Sequence, residues 1–132
     1  MRRRWRAVNL PLCFFLLVAC SADVPTSHSA AAFNGRWVGF FESSLGLLGC
    51  PTRAPLLVIV AQGRIDGDAE AESFAMSVGG VVEPDGAIRD GVFRRDARAA
   101  AIMTGTFLDN GAAGRWQGAF CKGVWSLRRV AR

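Results

Sequence analysis

From Phe33 to Val130, apolar and polar residues alternate in short runs that recur about every ten to twelve positions, with turn chemistry between them. A repeat of two is the repeat of a β-strand, and a helix has no face on which to bury it. The pattern predicts strands near 34–42, 55–62, 64–70, 74–82, 87–93, 99–108, 113–120 and 123–130. Glu83-Pro84-Asp85-Gly86 and Asp109-Asn110-Gly111 read as turns, because Asp, Asn and Gly tolerate the positive φ that tight hairpins need. Gln62-Gly63 and Lys122-Gly123 supply two shorter connections, and no segment sustains a helical period. Gly39, Gly67, Gly91, Gly105 and Gly118 fall inside predicted strands, which suits the sharp coiling of a closed sheet. About eight short antiparallel strands with tight turns predict a small all-β up-and-down barrel, since closure removes exposed edges. A two-sheet β-sandwich of similar strand order is the alternative.

The chain ahead of this region has a different character. Met1-Arg2-Arg3-Arg4-Trp5-Arg6 is basic, a mostly apolar stretch follows, and the run ends in Leu17-Val18-Ala19-Cys20. That is the composition of a secretory signal, and the apolar stretch is too short for a spanning helix. Its last four residues resemble the lipobox of bacterial lipoproteins. The resemblance implies cleavage before Cys20, diacylglycerol on its thiol, and a protein anchored in the bacterial envelope by its acyl chains. Ser21, where Asp would favour retention at the inner membrane, implies transport to the outer membrane. Cys20-Ser21-Ala22 also fits ordinary signal cleavage after Ala22, which would release a soluble protein. On the lipoprotein reading, residues 1–19 are signal peptide, 20–32 are the lipidated cysteine with a flexible tether, and 33–132 are the barrel domain. The tether sequence SADVPTSHSAAA is small and polar with nothing to bury, and it holds His28, the only histidine of the chain.

Processing changes both charge and cysteine arithmetic. Of 16 basic side chains, Arg2, Arg3, Arg4 and Arg6 lie in the signal, which leaves twelve against 11 acidic ones. A domain so near neutrality offers no electrostatic footing for nucleic acid. Cys13 lies in the discarded run and Cys20 takes lipid, leaving Cys50 and Cys121. Two cysteines in an exported domain are most simply a disulfide. A metal site on them is a poor fit, since neither has Cys-x-x-Cys spacing and no histidine is near.

Gly35-Arg36-Trp37, opening the first predicted strand, is similar to the Gly-x-Trp opening of lipocalins and related calycin barrels. That resemblance implies a Trp37 that plugs one barrel end, with Arg128 or Arg129 of the last strand packed across its ring. Gly114-Arg115-Trp116 repeats the triplet late in the chain, and the domain is shorter than a lipocalin. The barrel is therefore expected to be narrow and filled by side chains, and no ligand site follows from the likeness.

Catalytic motifs are sparse. Ser-His or Cys-His nucleophilic chemistry needs a base, and the expected domain contains no histidine. Glu42, Ser43 and Ser44 are neighbours in sequence, but adjacent strand residues point to opposite faces. Asp66, Asp68, Glu70 and Glu72 share one face of a strand at period two; they diverge along it, so a solvated outer face is favoured over a calcium site or a glycosidase pair. Leu45, Leu47 and Leu48 lie in an apolar, glycine-rich connection ending at Cys50. They read first as a lid over one barrel mouth and second as an exposed patch for a protein or lipid. Arg94-Arg95-Asp96-Ala97-Arg98 reads first as a solvated basic turn and second as a hairpin that touches acidic lipid headgroups or lipopolysaccharide.

These residues point away from an enzyme and require no cofactor. The expectation is a noncatalytic, lipid-anchored envelope module that binds, and by analogy with small periplasmic inhibitors blocks, another envelope protein. The alternative is a calycin-like carrier of a small apolar ligand, which needs a cavity of a few hundred Å³. A filled interior favours the first and an open one the second.

Overall fold

A computed structural model describes residues 29–44, 49–71 and 74–130. It contains a closed antiparallel barrel of eight strands, β1 Gly35–Ser43, β2 Arg53–Ala61, β3 Arg64–Ala71, β4 Phe74–Val82, β5 Ile88–Arg95, β6 Arg98–Phe107, β7 Gly111–Gly118 and β8 Lys122–Arg129. Each strand pairs with its sequence neighbour, and β1 closes the ring by pairing with β8, Val38 opposite Arg128 and Phe40 opposite Ser126. The barrel alternative of the sequence is the one realised. Gln62-Gly63 turns with φ of 51° and 74°, and Asp96-Ala97 turns with 49° and 62°, the left-handed pairs that match the twist of a two-residue hairpin.

Alternation decides what faces the axis. Trp37 and Phe41 of β1, Leu56, Val58 and Val60 of β2, and Trp125 and Leu127 of β8 are buried. Between them Arg36, Asp66, Asp68, Glu70, Arg115 and Lys122 point to water. An apolar interior with a charged exterior is the reverse of a membrane-spanning barrel. Aromatic rings fill the axis in two clusters. At one end Phe107 meets Phe33, Trp37 and Trp125 at centroid distances of 6.3, 4.9 and 6.2 Å. Towards the other end Phe41, Phe93 and Trp116 meet at 5.5–6.5 Å. Trp125 fits because the paired Gly105 and Gly114 face it; a Cβ on either would strike the indole and the opposite backbone.

Several boundaries differ from the sequence expectation. Residues 29–32, assigned to the tether, belong to the fold: Ala30–Phe33 form a 3₁₀ turn capped by the Ser29 hydroxyl, and Phe33 is buried. Small residues hide this because backbone groups and one ring do the anchoring. The last hairpin also shifts. β7 ends at Gly118, not at 120, and Lys122-Gly123 lie inside β8, because Gly118 N–H donates to the Cys121 carbonyl at 2.8 Å and closes the turn earlier. β2 starts two residues early, at Arg53, where Glu42 pairs with it.

Candidate functional site at the barrel mouth

The two ends of the barrel are built differently. At the end where the chain enters, Trp37 is 0% exposed and its indole N–H donates to the Phe33 carbonyl at 3.0 Å. The Arg129 guanidinium sits 4.7 Å above the ring centroid and donates to the Ala32 carbonyl at 2.5 Å. Of the two arginines the sequence offered, Arg129 makes the contact. Arg128 is turned outward by strand alternation, since Trp125 and Leu127 fix the inward register of β8. This end is sealed.

At the far end, Cys50 and Cys121 form a disulfide with their Cα atoms 5.6 Å apart. It ties the connection between β1 and β2 to the turn between β7 and β8. The Ser43 hydroxyl donates to the Pro51 carbonyl at 2.5 Å, and Ser44 N–H donates to the Lys122 carbonyl at 2.9 Å, so both segments are held at their bases. The bridge leaves Phe120 at the apex of its turn, 88% exposed. Beside it opens a recess of about 350 Å³, lined by Pro51, Met76, Arg95, Ala100, Trp116 and Phe120 among others. Trp116 makes its floor, fixed by its indole N–H donating to the Glu42 carbonyl at 3.1 Å. The result is a shallow apolar bowl with one exposed ring on its rim and Arg95 at its side. Such a surface suits contact with an apolar side chain of a protein: an aromatic anchor next to a preformed hollow is the usual centre of an interface.

The other candidate residues distribute as follows. Asp66, Asp68 and Glu70 are exposed on the outer face of β3 and do not converge. Ser43 spends its hydroxyl on a backbone carbonyl, and Ser44 is exposed. Arg94, Arg95, Asp96 and Arg98 are exposed around the β5–β6 turn on the mouth side. The Arg89 guanidinium is held above its ordinary proton affinity by its hydrogen bond and charge contact with Glu83 and by Asp90. Among the described residues no three His, Cys, Asp or Glu gather as a metal site. Cys20, His28, Leu45, Leu47, Leu48 and Glu72 lie outside the described residues. Phe120 is the feature that the sequence reading missed: it falls at the end of a predicted strand, 113–120, and nothing there singles it out. The signal was Cys121, which needs a turn to reach Cys50.

No protein-family model matches the chain, and no curated protein matches it.

Proposed function

We propose that this chain is a noncatalytic, lipid-tethered module of the bacterial envelope that binds another envelope protein at the barrel mouth. The observation that carries this reading is the filled interior. Six aromatic rings (Trp37, Phe41, Phe93, Phe107, Trp116 and Trp125) are buried along the axis, which supports a surface-binding module over a calycin-like carrier, whose ligand would need that space. Binding then falls to the surface. The chain enters the described fold at the Trp37 end, so a lipid on Cys20 leaves the Phe120 end free to face away from the membrane.

Two measurements test the parts separately. For the anchor, metabolic labelling with a fatty acid is expected to mark the wild type and not Cys20→Ala; a label kept by the variant ends the lipoprotein reading. For the mouth, a photocrosslinking residue at position 120 should yield a discrete protein adduct in intact cells. The same residue in place of Leu108, which is also exposed (65%) but at the sealed end, should yield none. Equal adducts from both positions, or none from either, would reject the mouth as the binding site.

A further inference from the structure

We propose that the outer face formed by β8, β1, β2 and β3 is the interface of a symmetric homodimer. β2 is the starting point. Its inward residues fill the core, yet its outward residues are apolar too: Pro55, Leu57 and Ile59, the last 52% exposed. A strand apolar on both faces belongs between two layers, and here only one layer is present. Val38 and Phe40 of β1 lie directly beside Leu57 and Pro55, which extends the strip across two strands.

The charges around the strip are sorted by side. The register places Arg128, Val38, Leu57 and Asp68 in one row across β8, β1, β2 and β3. In the next row Arg36 and Ile59 are followed by Asp66. Glu70 continues the acidic line along β3, and Arg64 ends that line past the last residue of β8. Arg36, Arg128, Asp66, Asp68 and Glu70 are all exposed, and none makes an ion pair within the described residues. By contrast Arg53, on the same face, is already engaged with Glu42 at 3.3 Å and lies over the Phe40 ring. Arg94 lies over Gly79, beside Asp66, so Asp68 is the freer carboxylate of the two.

A row that runs basic, apolar, apolar, acidic is its own complement. Rotation by half a turn about an axis in the interface, along the seam between β1 and β2, lays Arg128 over Asp68 of the second copy. The same rotation sets Val38 on Leu57, Phe40 on Pro55, the Arg36 stem on Ile59, and the Glu42–Arg53 pair on its reversed counterpart. Every contact then occurs twice, as an isologous interface requires. The barrel wall is convex, so the copies touch at the β1–β2 strip and diverge towards β8 and β3. Arginine, the longest side chain available, stands on the diverging flank and can span the gap to a short aspartate. A heterologous partner would need no such mirror order of charge, which is why a second copy is the occupant that fits.

The test uses the oxidised chain from Ser21 to Arg132, which contains every residue of the core. Sedimentation equilibrium is expected to give twice the monomer mass at high concentration. Ile59→Lys should weaken association by roughly a hundredfold, since it sets a second cation against Arg36 of the second copy. Arg128→Asp and Asp68→Arg should each weaken it by about tenfold or more, and the double reversal should return it to within about threefold of wild type. Circular dichroism of each variant checks that the barrel is intact. A monomer at every concentration, or a dimer indifferent to Ile59→Lys or to the charge reversals, overturns the proposal.

Discussion

Trp37→Ala is expected to bring the domain close to unfolding, with a loss of about 3–5 kcal/mol. Three effects add at this position. The indole is fully buried and packs edge-on against Phe107 at 4.9 Å, so its removal opens a cavity at the base of the aromatic column. The Phe33 carbonyl loses the indole N–H as its donor, and a buried acceptor without a partner costs about 1–3 kcal/mol by itself. The Arg129 guanidinium loses the ring beneath it. Arg129→Ala removes only that last contact and the bond to the Ala32 carbonyl, and is expected to cost roughly 0.5–2 kcal/mol. Arg36→Ala, one residue from Trp37 on the opposite face and without an ion pair among the described residues, should cost under about 1 kcal/mol. Chemical denaturation of the three variants ranks them. If Trp37→Ala were no worse than Arg36→Ala, the seal at this end would contribute nothing to the fold.

The same alternation explains how much of the molecule could be read in advance. In β8, Trp125 and Leu127 are two apart and bury together, so their phase also selects Arg129 over Arg128 for the ring contact. Turns at Gln62-Gly63 and Glu83–Gly86 were equally plain, because local backbone chemistry specifies them. β2 was harder. Pro55 to Ala61 is apolar at almost every position, so no period marks its inner face; pairing with β1 and β3 sets it. The mouth recess was not legible at all. Met76, Arg95, Ala100 and Trp116 come from β4, β5, β6 and β7, and only the closed ring places them around Phe120. Residues 29–32 carried no signal for a related reason. What holds them is Arg129, almost a hundred positions away, reaching the Ala32 carbonyl.

Replacing both Cys50 and Cys121 by Ala should cost about 4 kcal/mol, comparable with Trp37→Ala but acting on the unfolded chain. The two cysteines are 71 positions apart, and a loop of that length has much freedom to lose when its ends are joined. Their position on the barrel makes this constraint especially effective. The bridge joins the segment after β1 to the segment before β8, and β1 with β8 is the seam that closes the ring. No short turn brings these two strands together, whereas seven of the eight pairings are between sequence neighbours. In the oxidised unfolded chain the bridge has already met most of the entropic cost of that seam. The stability lost in the double variant should therefore appear chiefly as slower folding, with the unfolding rate changed much less. Denaturant-dependent folding and unfolding rates of the oxidised protein and the double-alanine variant separate these limbs. A loss carried mainly by faster unfolding would mean that the disulfide acts by bracing the mouth beside Phe120, and a total loss under about 1 kcal/mol would mean that the unfolded chain keeps its ends together without it.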